Sequence, residues 1–301
     1  MGFRYKNILI ISDIEGSSGC WSYQASSFLT DEWSKACLEM TRDVNIVGQA
    51  LLDAGVEQIT VKDFHRTGFN LLPDLIDSRI KIVSGYRPKP VLGIGDPGDA
   101  QAAMFLGMHA ASGTPGFLAH TLTSRVEQLQ VNGKPMAEVE LFAASLSPFS
   151  IRPIFFSGCP AACNQAQEKI DHIRVHPIDK SMGAEKFDVH SWRAGLARAA
   201  IESLENDLTA PYQAVGPFEA TVRMRDGEKA AQLISKRWGF DYDGHHIYIR
   251  AADIHALYLS LIRLCYLTPL IEKLLPIGLM GYNLWGQMGQ IWVRQRIKKL
   301  L

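Results

Sequence analysis

Asn7 to Ser12 is a short apolar run, and Asp31 to Ala54 after it repeats Trp33, Ala36, Cys37, Met40, Val44, Val47 and Leu51 at helical spacing. Gly55 closes that stretch, and Gln58 to Val61 returns to β-type residues. A strand, a helix and a second strand in succession bring the two strands side by side and parallel, because the helical crossover carries the chain back to the end from which it started. This unit constrains the fold more than any other feature of the chain.

The alternation continues. Strands are predicted at Ile80 to Ser84, Ala103 to Gly107, Gln128 to Val131 and Ile151 to Ser157, with helices at Met136 to Ala144 and Ala161 to Ile170. Residues 1–210 are thus expected to form an α/β domain, a mainly parallel sheet flanked by helices. Past Pro211 the pattern changes to an alternating strand at Phe218 to Met224, a helix at Gly227 to Arg237, a short strand at His246 to Arg250 and a helix at Ala252 to Leu267. That predicts a second, smaller α+β domain at 211–268, followed by a C-terminal amphipathic tail at 269–301.

Leu274 to Val293 of the tail carries no formal charge, and Arg294, Arg296, Lys298 and Lys299 follow it. Pro276 and the glycines at 278, 281, 286 and 289 make it a poor membrane span. Tyr282, Trp285 and Trp292 with the basic end suit packing against the core or a partner subunit first, and peripheral membrane contact second.

Lys plus Arg (31) cancels Asp plus Glu (31), so no nucleic acid partner is expected. Five scattered cysteines in a chain of 301 residues read as free thiols, and the run Ile8 to Ile11, broken at Asp13, is too short for a secretory signal; the expected location is cytoplasmic. CPAAC at 159–163 matches neither a redox pair nor a zinc knuckle and reads as a strand end and turn. GIGDPG at 93–98 fits a dinucleotide fingerprint in letters only, since it does not join the first strand to its helix, and is expected to be a loop. His172 and His176 would share a face only if helical, which Pro177 opposes.

Chemistry concentrates where apolar runs stop. Asp13 and Glu15 stand two apart in SDIEG, where alternation along an extended chain points both carboxylates to one side. VKDFH delivers His65 after the second strand, and MFLGMH delivers His109. Ligands of parallel α/β sheets bind outside the carboxyl ends of strands, so these four residues are candidates for one site. His120 in PGFLAHTL and Glu138 at the start of an otherwise apolar helix follow, whereas Glu140 should face elsewhere. Taken singly, each is as compatible with a solvated turn or a structural histidine as with a ligand.

Together, SDIEG, VKDFHRTGFNLL, MFLGMHAASGTPGFLAHTL and VNGKPMAEVELFA resemble the D-aminopeptidases related to the dipeptide-transport-associated enzyme of bacilli, self-compartmentalising two-zinc metallopeptidases. The resemblance covers about residues 7 to 268. It implies Asp13 as a carboxylate shared by two Zn2+ ions per subunit, Glu15 and His65 on one ion, His109 and Glu138 on the other, and His120 as the catalytic histidine. The implied function is hydrolysis of the N-terminal peptide bond of short peptides, D-amino-acid peptides among them, through a zinc-activated water, in a ring-like homo-oligomer. Phe64, where the family often has a small residue, Glu140 and the tail depart from the pattern. The same ions would also suit a two-metal phosphoester hydrolase, and a non-catalytic peptide-binding or membrane-associated member is the third alternative.

Overall fold

The computed structural model describes residues 4–299, so the outermost ends of the 1–210 and 269–301 spans lie outside the described residues. In chain order the elements begin β1 (Asn7–Ser12), α1 (Asp31–Asp53), β2 (Gln58–Asp63), β3 (Ile80–Val83), β4 (Ala102–Met108), β5 (Val126–Val131), β6 (Lys134–Pro135) and α2 (Glu138–Leu146). They continue with β7 (Arg152–Gly158), α3 (Pro160–Lys169), β8 (Arg174–Pro177), α4 (Val189–Ser203), β9 (Phe218–Met224), α5 (Glu228–Trp238), β10 (Asp241–Asp243), β11 (His246–Ala251) and α6 (Ile254–Tyr266). Two further helices, α7 (Pro269–Lys273) and α8 (Leu275–Ile297), make the tail.

The main sheet has six strands in the order β3-β2-β1-β4-β7-β8, all parallel. Its central strands are buried on both faces, as helical crossovers on both sides require. Along β1, Leu9 and Ile11 enter one hydrophobic cluster and Ile8 and Ile10 the other; β4 divides Ala103 and Phe105 from Ala102, Met104 and Leu106 in the same way. The helices α1 and α4 cover one face, and α2 and α3 the other. Thr30 caps α1 through its side chain, which accepts from Trp33 N–H, and Gly55 at φ +101° ends it.

The second sheet is antiparallel, in the order β10-β11-β9-β5-β6. Its strand β9 buries Phe218, Ala220, Val222 and Met224 alternately, and these join α6 and α2 in one cluster. The smaller layer is therefore not confined to 211–268: β5, expected with the first sheet, pairs with β9 from Val126↔Met224 to Val131↔Ala220. Short strands carry no mark of their partner, and the alternation of β5 suits a half-buried antiparallel ladder better than a parallel one. The 93–98 run is a loop closed by isolated bridges, and His172, at φ +62° in a turn, shares no helix with His176 in β8. Cys159 lies directly after β7 as expected, but the chain then enters α3 rather than a turn alone.

The tail packs on the body. Val293 and Ile297 are buried in the α1 cluster, Trp292 stacks on Trp33 at 6.1 Å, and Gln290 donates to Leu71 O at 2.6 Å. Among the described residues no helix is long and apolar enough to cross a membrane.

Candidate metal centre

In the main sheet the chain first builds outward through β1, β2 and β3, then returns to add β4 on the other side of β1. The crevice beyond the carboxyl ends of β1 and β4 is a topological switch point, where successive connections leave in opposite directions and make room for a ligand. Asp13 follows β1 directly and His109 follows β4 directly. His65 arrives two residues after neighbouring β2, and Glu138 is the first residue of α2. Helix N-termini hold negative charge well, and Glu138 Oε1 accepts Leu122 N–H at 2.6 Å.

Asp13 and Glu15 converge, though not by the pleat. The strand ends at Ser12, and a turn in which Ser17 N–H donates to Ile14 O at 3.0 Å brings Glu15 back beside Asp13. Gly16 lets this turn lie on the sheet: a Cβ there would run into Met108 O and the Gly158 backbone. Gly107, at φ +73°, makes the same close approach from β4, against Asp13 O.

Asp13, Glu15, His65, His109 and Glu138 are all buried, each 5% exposed or less, and His120 is half-buried. Asp13 divides its two oxygens between the imidazoles. Oδ1 lies 3.0 Å from His65 Nδ1 and Oδ2 lies 3.3 Å from His109 Nε2. Glu15 Oε2 is 3.1 Å from the same His65 nitrogen, and Glu138 Oε1 is 3.5 Å from His109 Nε2. The donor atoms form two groups, Asp13 with Glu15 and His65, and His109 with His120 and Glu138, each within 4.8 Å across. The rings of His109 and His120 stack at 3.8 Å, nearly parallel.

Backbone carbonyls set each imidazole. His65 Nε2 donates to Ser26 O at 2.9 Å, His109 Nδ1 to Ala110 O at 3.2 Å and His120 Nδ1 to Leu118 O at 2.8 Å. A carbonyl only accepts, so the proton resides on those nitrogens and the other nitrogen of each neutral ring is a lone pair. In a neutral His65 or His109 that lone pair would face carboxylates with no hydrogen to share, so without a metal each ring answers Asp13 by taking a second proton. His65 Nδ1 lies at hydrogen-bond distance from Asp13 Oδ1, whereas His109 Nε2 and Glu15 Oε2 are buried with no hydrogen-bond partner of good geometry.

The charges show the same deficit. Burial disfavours the imidazolium of His65, yet Glu15 and Asp13 outweigh it and push its pKa up to about 10. Burial likewise opposes charge on His109, and Glu138 and Asp13 prevail to about 10. Burial would raise Asp13, but the protonated rings of His109 and His65 beside it hold its carboxyl well below the usual carboxylate range. Burial raises Glu15, with the Asp13 charge adding to it, and burial raises Glu138 against the pull of His109. Three buried carboxylates are seeking positive charge, and protons on the histidines are the only supply among the described residues of the centre. Imidazole lone pairs, carboxylate oxygens and unpartnered buried donor atoms are what zinc binds, so the residues present fit that ion.

His120 differs. Burial, then the neighbouring His109 ring, hold its pKa down at about 4, so it is neutral near pH 7 with a free Nε2 lone pair. Leu118 (φ 48°) and Leu122 (φ 63°) on either side of it, and Arg66 (φ 47°) beside His65, occupy the left-handed region that non-glycine residues avoid. Such strain gathers where surrounding structure over-determines a site.

All six residues singled out by their place in the sequence meet here, and Glu140 faces away as expected: it accepts Ala137 N–H at 2.9 Å and pairs with Lys169 at 3.6 Å. Not foreseen were the carbonyls of Ser26, Ala110 and Leu118, which any residue type supplies, and Lys180. Lys180 is lowered to about 8 by burial, and it donates to Ser17 O and to Cys20 O, the latter at 2.7 Å, pinning the turn that carries Glu15. A lysine after a short edge strand gives no sequence signal of that role.

Three comparisons bear on this centre. A D-aminopeptidase from Bacillus subtilis (strain 168) is 24% identical over 172 residues, 56% of this chain and 62% of that protein, so the chain spans less than two thirds of the relative's length. The solved structure of the Zn-dependent D-aminopeptidase DppA from Bacillus subtilis, described as a self-compartmentalizing protease, superposes with a TM-score of 0.76 at 20% identity. It covers 85% of this chain and 96% of its own, and the two share the fold. The D-aminopeptidase (peptidase M55) family model matches residues 7–261, a stretch that includes both sheets and every residue of the centre, and the chain belongs to that family.

Proposed function

We propose that the chain is a zinc-dependent aminopeptidase that releases the N-terminal residue of short peptides, D-residue peptides among them. The observation that carries this reading is the division of Asp13 between two donor groups, one oxygen toward His65 and the other toward His109. Asp13, Glu15 and His65 would hold one zinc ion, and Asp13, His109 and Glu138 a second. Two divalent cations against three carboxylates leave the centre net positive, by +4 minus 3. Zinc bound there supplies a Lewis acid for a peptide carbonyl and brings the pKa of a water from 15.7 toward about 7.

The remaining work falls to the chain's own groups. His120 is neutral, with Nδ1–H committed to Leu118 O, so its Nε2 begins as a proton acceptor. It can take the proton of the attacking water and return it to the leaving amine, the order that peptide hydrolysis needs. Stacking on His109 fixes the plane of the ring. Free thiols throughout the described residues support the cytoplasm as the proposed location. The relative described as self-compartmentalizing supports a homo-oligomer, ring-like in this reading, whose closed interior would admit short peptides.

The test is metal analysis joined to a substrate panel: a D-Ala-D-Ala dipeptide, an L-dipeptide and a generic phosphodiester with zinc-loaded protein. Two zinc ions per chain and cleavage of the D-dipeptide are expected. Zinc-loaded protein that leaves both peptides intact would overturn the proposal.

A further inference from the structure

We propose that Tyr282 and Asn283 of α8 are positioning residues for His65, so that the tail braces one half of the metal centre; this rests on the zinc reading above. The tail lies beyond the family match, which ends at residue 261. Its contacts nevertheless fall on the loop that carries His65.

Tyr282 OH donates to Arg66 O at 3.3 Å, directly after His65. Asn283 grips Tyr86 from both sides: Oδ1 accepts Tyr86 N–H at 3.1 Å and Nδ2 donates to Tyr86 O at 3.4 Å. Tyr86 OH in turn donates to Phe64 O at 2.7 Å, directly before His65. The residues flanking His65 are thus each tied to α8, one directly and one through Tyr86. Gly286 permits the approach, since a Cβ there would strike Phe69 and Thr67 of the same loop.

The second grip is on the acceptor that sets the ring. His65 Nε2 donates to Ser26 O, and two residues on, Phe28 is held by Trp285 at 5.4 Å and by the close approach of Gly289. With Nε2 committed and the loop held, Nδ1 stays directed at Asp13 and Glu15. No tail residue makes a comparable hydrogen bond to the His109 segment among the described residues, so the brace acts on one donor group of the two. Partners that orient a ligating histidine typically change metal affinity about 10–100-fold when removed.

The experiment compares the full chain with Tyr282→Phe, Asn283→Ala and the double variant, with Leu284→Gln on the outer, solvent-facing side of the same helix as control. Amide hydrogen exchange is followed at 64–71 and at 109–122, and zinc affinity is read by chelator competition. The double variant is expected to exchange faster at 64–71 only and to lose about 10–100-fold in affinity for one zinc of two, with the control unchanged. If the double variant fails to fold, Tyr282→Phe alone carries the same readout at Arg66. Unchanged exchange at 64–71, or equal weakening of both metals, would overturn the brace. Wild-type chain that takes up no zinc overturns the metal reading instead, and the exchange comparison still decides whether α8 holds the loop.

Discussion

His120 is the residue on which catalysis and ligation part. Its donor atom groups with those of His109 and Glu138, yet its low pKa and its place outside the Asp13 pairing suit a proton carrier. His120→Ala is expected to keep both zinc ions and to lose about 10²–10⁴-fold in kcat, the usual worth of a general acid–base. Loss of one zinc in that variant would make it a ligand. The histidines that face Asp13 predict a pH effect of definite sign. Their folded pKa values, about 10, lie above the unfolded value of about 6.5, so their stabilisation is complete below pH 6.5 and disappears as pH rises through 10. Metal-free protein should therefore lose urea resistance between those limits, and zinc should restore it by replacing the protons. A flat profile without metal would count against this charge balance.

At the scale of elements, the centre depends on strands ending together and on turns that lie close against them. Gly16 and Gly107 are where that closeness is needed, since at both positions a Cβ meets backbone rather than a side chain that can yield. Gly16→Ala is expected to cost about 1–3 kcal/mol in denaturant unfolding, as overpacking does, and to weaken zinc retention because the displaced turn carries Glu15. A neutral substitution on both measures would show that the turn has room to shift. The helical periodicity of α1 and the apolar runs of β1, β2 and β4 were legible because propensity and burial agree there. The partner of β5 was not, since alternation in a six-residue run points to a half-buried antiparallel strand without marking which strand it joins.

Over the whole molecule, the tail changes what the α/β body exposes. Removing it by ending the chain at Thr268 takes away buried Val293 and Ile297, each worth about 1.5–3 kcal/mol, and uncovers Trp33 and Phe69. Denaturant unfolding should register a loss of at least about 3 kcal/mol; an unchanged midpoint would mean that α8 sits on the surface without contributing. The outer side of α8 leaves Ile277, Met280, Leu284, Met288 and Ile291 more than half exposed, in accord with the apolar character of the tail sequence.

The identities and order of Asp13, Glu15, His65, His109, His120 and Glu138 were set by the sequence alone, as was the parallel layer, because ligand chemistry and hydrophobic periodicity reside in side-chain types. Tertiary structure decided which oxygen faces which imidazole, which carbonyl holds each ring's proton and that a tail helix returns to grip the loop of His65. Those outcomes depend on backbone atoms common to all residues and on contacts between segments more than two hundred positions apart, which no local pattern of residue types records.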